Sequence, residues 1–145
     1  MFDSIMVLKF LDGSTLKGFG SVIAPGEAIL EFKDLEEKIH WIELKKVKAA
    51  FYVKSFEGTG HKARPTQQMF TMSSGQKVRV AFKDGERQEG FVNDVTRLPQ
   101  AAGFYLVPAD PITNNIRMWI NREAVATVHH LGSEREEKKI IGIRP

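Results

Sequence analysis

The feature that most constrains this chain is that it matches itself. Leu8-Lys9-Phe10-Leu11-Asp12-Gly13, four residues and Gly18-Phe19 reappear as Val80-Ala81-Phe82-Lys83-Asp84-Gly85, four residues and Gly90-Phe91, at an offset of 72. Trp41-Ile42-Glu43, three residues and Val47 reappear as Trp119-Ile120-Asn121, three residues and Val125, at an offset of 78. A repeat of this length means one supersecondary unit used twice. The change of offset puts about six extra residues in the second copy, with Pro108 to Asn115 as the expected place for them.

Each copy reads as β-structure. Met6, Leu8 and Phe10 alternate with Val7, Lys9 and Leu11, as Val78, Val80 and Phe82 do with Arg79, Ala81 and Lys83. Period two puts one face of a strand in a core. Asp-Gly follows each run, and glycine accepts the positive φ of a tight hairpin turn. Second strands follow over Thr15 to Ile23 and Arg87 to Val95, with Gly18 and Gly90 inside them as candidates for a bulge or sharp bend. Third strands cover Ala28 to Phe32 and Phe104 to Val107, and fourth strands Ile39 to Ile42 and Ile116 to Ile120. One helical turn then precedes fifth strands over Val47 to Val53 and Val125 to Leu131.

Five short strands with a turn before the last predict an all-β chain of two tandem SH3-like or Sm-like small barrels. A curled antiparallel sheet is the alternative. The first unit is placed at 1–56, a polar linker at 57–76, the second unit at 77–132 and a charged tail at 133–145. Each unit is too small to be secure alone, so the copies are expected to pack together. Phe51-Tyr52 and Phe104-Tyr105 supply aromatics for that interface or for a partner. The tail is expected to cap an edge strand or to stay mobile.

Composition narrows the function. There is no cysteine, which excludes disulfides and thiolate metal sites and fits a reducing compartment. No signal-peptide pattern opens the sequence and no apolar run is long enough to span a bilayer, so a cytoplasmic location is expected. Net charge is +3, but it is dispersed: residues 1–55 hold eight Lys and eight acids. A phosphate-binding surface needs clustered Lys and Arg.

No chemistry stands out. His129 and His130 are adjacent in a strand and point to opposite faces, and no zinc spacing exists. There is no nucleophile elbow, and the paired acids Glu36-Glu37 and Glu136-Glu137 lie in polar runs. Gly58-Thr59-Gly60-His61-Lys62 lacks the phosphate-loop spacing. The expectation is therefore a protein that is not an enzyme, with no catalytic residue, cofactor or metal. Two segments are candidate partner-binding sites: the basic linker residues His61, Lys62 and Arg64, and the Pro-bounded loop with Asp110, Asn114 and Asn115.

Phe104-Tyr105-Leu106-Val107-Pro108-Ala109-Asp110-Pro111 with Asn114-Asn115, and Ala50-Phe51-Tyr52-Val53-Lys54-Ser55-Phe56-Glu57-Gly58, resemble an uncharacterised bacterial family of duplicated small β-modules. The likeness covers most of residues 5–131. Such modules look like companions of PilZ and receiver signalling domains, which implies a bacterial setting but no activity. A cyclic dinucleotide site of the PilZ kind is disfavoured: Asp12-Gly13-Ser14 begins its motif, but Lys17 stands where glycine is needed, and Arg64 has no second arginine at the required spacing. Nor does an Sm-type RNA signature follow the fourth strand. The leading expectation is a protein-binding adaptor in bacterial signalling or motility. The alternative is an Sm-like protein binding RNA or a nucleotide.

Overall fold

The computed structural model describes residues 2–56, 75–110, 112–131 and the backbone of 137–141. His61, Lys62 and Arg64 lie outside the described residues. The chain is all-β. Strands β1 (Ser4–Phe10), β2 (Thr15–Gly20), β3 (Ile29–Asp34), β4 (Ile39–Glu43) and β5 (Val47–Val53) make up the first half. The second half contains β6 (Gln76–Phe82), β7 (Arg87–Val92), β8 (Gly103–Pro108), β9 (Asn115–Asn121) and β10 (Val125–Leu131). A further strand, β11 (Glu137–Ile141), follows in the tail, and 3-10 turns lie at Leu44–Lys46, Val95–Gln100 and Arg122–Ala124.

All pairings are antiparallel and join into one sheet ordered β11-β10-β6-β7-β8-β9-β5-β1-β2-β3-β4. Each half thus runs fifth-first-second-third-fourth, and the fourth strand of the second half pairs with the fifth strand of the first. The registers correspond residue by residue. Met6 faces Gly18 and Leu8 faces Leu16, as Val78 faces Gly90 and Val80 faces Gln88, each 72 residues on. The same irregularity follows: Lys9 faces Ala49 and Phe10 faces Val47, as Ala81 faces Thr127 and Phe82 faces Val125. The extra residues of the second half do not all fall at Pro108 to Asn115. Gly18 faces Asp34 and Gly90 faces Pro108, so two of them precede β8, where the 3-10 turn Val95–Gln100 accommodates them.

The hairpin turns obey their Asp-Gly sequences. Gly13 and Gly85 sit at φ 94° and 100°, where other residues are strained. Gly18 and Gly90 have a different reason from the expected bulge. The β1–β2 and β6–β7 ladders run straight through them. A Cβ on Gly18 would lie 2.2 Å from the Lys33 carbonyl, and one on Gly90 would lie 2.4 Å from both Leu106 Cδ2 and the Val107 carbonyl. Glycine here lets β2 and β7 pass close across the next strand.

Two apolar clusters form the interior. Met6, Leu8, Leu30, Phe32, Ile42 and Val47 centre the first, and Val78, Val80, Leu106, Ile120 and Val128 the second. Burying each such side chain contributes roughly 1.5–3 kcal/mol. The strands at the join serve both clusters. From β5, Ala49 enters the second cluster while Ala50 and Tyr52 enter the first; from β9, Met118 and Ile120 enter the second while Trp119 enters the first. Covered on both faces, β5 has no polar face to show, and its sequence reads as a near-continuous apolar run.

Candidate functional site

The β5–β9 seam is held by buried polar contacts as well as by the ladder. Tyr105 Oη accepts from the Ile23 N–H at 2.8 Å and donates to its carbonyl at 3.1 Å. Tyr52 Oη donates to the Ser21 carbonyl at 2.8 Å, and burial pushes its pKa up. The Arg117 guanidinium lies over both tyrosine rings, 4.8 and 4.7 Å from their centres, which favours the charge through the ring quadrupoles. Asn121 Nδ2 donates to the Val47 carbonyl at 2.8 Å. Trp119 packs against Gly103, where a Cβ would lie 2.2 Å from the indole. Tyr52 and Tyr105, the aromatics expected at an interface, meet here with rings 6.0 Å apart.

Beside the seam is a cleft of about 240 Å³ lined by Lys9, Lys48, Phe51, Phe82, Glu86 and Arg87 among others. Lys48, buried on β5, donates to Asp84 Oδ2 at 2.6 Å and to Glu86, and lies 4.7 Å from the centre of the Phe82 ring. Burial opposes its charge, but the two carboxylates outweigh burial and raise its pKa; the Lys48 hydrogen bond in turn lowers that of Asp84. The cleft is smaller than the usual ~300 Å³ floor for small-molecule sites. Its buried cation is committed to an internal clamp between the halves. Among the described residues, no three His, Cys, Asp or Glu side chains gather as a metal site needs.

The Pro-bounded loop proves to be tied to the seam. Asn114 Nδ2 donates to the Ser55 carbonyl at 2.9 Å, and Lys54 Nζ donates to the Thr113 carbonyl at 2.7 Å. Asn115 is the first residue of β9 and faces Val53. Asp110 is exposed and caps its own turn, accepting from the Ile112 N–H at 3.0 Å. The structure thus brings Asn114 and Asn115 to the end of β5 and leaves Asp110 in solvent.

A different surface is open to a partner. Among the described residues, β4 ends the sheet and is hydrogen-bonded on one side only, to β3. On the outer face of this pair, Ile39, Trp41 and Glu43 alternate along β4 opposite Lys33, Glu31 and Ile29 of β3. Trp41 is 67% exposed, Ile29 and Ile39 43% each. The hairpin that presents them is firmly set. Asp34 accepts from the N–H groups of Glu36 and Lys38 and from His40 Nε2 at 2.8 Å, and these bonds, His40 first, hold its carboxyl below the usual range. A strand edge unpaired among the described residues and carrying an exposed tryptophan is suited to strand addition. Sequence reasoning did not single out these residues. The available signal was the alignment of Trp41 with Trp119, since a single internal junction buries one of them and leaves the other.

Comparison with known proteins adds a family. The sequence model of a group described as "Family of unknown function (DUF6982)" matches residues 3–132, and the chain belongs to that family. No curated protein and no solved structure gives a match.

Proposed function

We propose that this member of a family of unknown function is a non-enzymatic protein-interaction module of two tandem SH3-like units, which takes a partner strand on the open edge of β4. The observation that carries the reading is Trp41, two-thirds exposed on a strand that is unpaired on its outer side among the described residues. Large apolar side chains grouped on a surface mark interaction sites, and backbone pairing supplies affinity while the flanking pockets supply selectivity. The tandem SH3-like description is supported by the shared strand order of the two halves and by the 3-10 turn before each fifth strand. A cytoplasmic role in bacterial signalling or motility is the setting the resemblance suggests. The RNA-binding alternative finds less support, because Glu31 and Glu43 flank Trp41 and repel phosphate.

The test is capture from a native-cell lysate with the full chain and with its Trp41→Lys variant, each sample divided and half treated with nuclease. A protein recovered in both halves by the natural chain and lost with Trp41→Lys supports the reading. Equal capture by both chains removes β4 as the site. Recovery that vanishes with nuclease transfers the function to RNA.

A further inference from the structure

We infer that the partner of β4 is a second copy of this chain, bound through its β10 edge, and that strand β11 is a built-in cap that withholds that edge. The inference rests on the β4 interaction reading and names its occupant.

The chain already contains one worked example of the contact. Fourth strand β9 pairs with fifth strand β5, with Trp119 facing Ala50, Met118 facing Phe51 and Arg117 facing Tyr52. The counterparts of β9 and β5 in the other half are β4 and β10. Placing β4 of one copy on β10 of another in the same register sets Trp41 opposite Val128, His40 opposite His129 and Ile39 opposite His130. The exposed indole then gains the cover that Trp119 has. The neighbouring charges agree: Glu31 occupies the place of Tyr105 and His130 that of Tyr52, so a tyrosine pair whose hydroxyls lie 3.3 Å apart becomes an acid facing an imidazole.

In the single chain β10 is not free. β11 lies along it with Ile141 facing Val128, Lys139 facing His129 and Lys138 facing His130. These are the places that Trp119, Met118 and Arg117 hold against β5. The tail strand therefore imitates a fourth strand at the one edge where a fourth strand of another molecule belongs. β11 begins six positions after β10 ends in the sequence, and a strand joined so closely along the chain competes at an effective concentration on the order of millimolar. The cap wins until something removes it, while β4 stays open among the described residues. Release of β11 would let copies join head to tail, a heterologous contact that closes into a ring or grows as a filament.

The experiment uses the absence of native cysteine. Full-length Ile39→Cys chains are mixed with full-length His130→Cys chains under mild oxidation, in the natural background and with Lys138 and Lys139 both changed to proline. Consecutive strand residues alternate in ladder bonding, so the double proline removes at least one donor of β11. A disulfide between the two kinds of chain is expected, slow in the natural background and at least ~10-fold faster in the proline background, as weakening a tethered competitor implies. Adding Trp41→Lys to the His130→Cys chain leaves that chain's acceptor edge intact, whereas adding it to the Ile39→Cys chain should abolish the product. Sedimentation should show the proline variant growing with concentration. The natural background keeps the test valid if the proline variant fails to fold. Absence of the mixed disulfide in both backgrounds overturns the inference, as does cross-linking of Ile39→Cys to itself, which would mean β4 on β4. Trp41-dependent capture of another protein without any mixed disulfide would overturn it while leaving the interaction-module reading intact.

Discussion

Trp41 and Trp119 hold corresponding places in the two halves and have opposite fates. Trp119 is 7% exposed, seated over Gly103 and packed into the first cluster; Trp41 is 67% exposed, with Ile29 in the place of Gly103. Strand geometry does not separate them, since each lies on a fourth strand paired to its own third strand. The difference is the neighbour. β9 has β5 beyond it, and β4 has no strand beyond it among the described residues. One element is thus a structural joint in one half and the proposed docking edge in the other, according to whether its second side is occupied among the described residues.

The comparison breaks most sharply on truncation of the two indoles. Trp119→Ala should cost about 3–5 kcal/mol, the loss for a large buried aromatic plus the cavity it leaves. Trp41→Ala should change stability by no more than about 0.5 kcal/mol, as substitutions of exposed side chains do. Urea unfolding followed by far-ultraviolet circular dichroism measures both. Equal costs would mean that Trp41 is covered within its own chain, and β4 would cease to be a candidate site.

The Lys48 clamp is the next largest difference between the halves. Lys48 on β5 reaches the Asp84–Glu86 turn across the seam, and its counterpart on β10 is Ala126. Lys48→Met keeps the buried stem and removes the charge, and should cost about 1–2 kcal/mol, toward the low end for buried pairs because both carboxylates are half exposed. Its pH signature has two arms. The raised Lys48 pKa stabilises the fold below 10.5 and is lost as pH rises through the folded value; the lowered Asp84 pKa stabilises above 3.8 and is lost as pH falls through its folded value. Stability measured across pH should therefore show shallower losses at both extremes in Lys48→Met than in the natural chain. Parallel curves would mean that the clamp does not contribute to holding the seam.

Much of this architecture was legible in the sequence. Period-two runs around Leu8 and Val80 located the first strands, and the Asp-Gly pairs located the hairpins, because both signals are local. The five-strand order and the turn before the last strand followed from the repeat. What was not legible was edge pairing. Nothing local in Trp41-Ile42 or Trp119-Ile120 says which strand lies beyond, since that depends on how two units with nearly the same sequence pattern choose partners. For the same reason β11 was readable only as a tail that caps or moves. The charged run 134–139 resembles any solvated segment, and the pairing of Glu137–Ile141 with β10 is a tertiary fact. Gly103 gave no signal either. Its first-half counterpart Ile29 is a good strand residue, and only the indole above Gly103 explains the glycine.

The smallest difference between the halves concerns the turn from third to fourth strand, and it decides what the Pro-bounded loop is for. In the first half Asp34 closes this turn on itself through Glu36, Lys38 and His40. In the second half the longer turn reaches outward, and Asn114 bonds the Ser55 carbonyl beyond the end of β5. The extra length thus serves as a brace that fastens β9 to β5. Asn114→Ala should then cost about 1 kcal/mol, the usual net value of one such hydrogen bond, while Asp110→Ala, which loses only an exposed turn contact, should cost less. Neither should alter Trp41-dependent capture, because both lie on the seam side of the sheet and not on its open edge. If Asn114→Ala abolished capture at unchanged stability, the loop itself would be the recognition surface, and the asymmetry of the two tryptophans would describe the architecture alone.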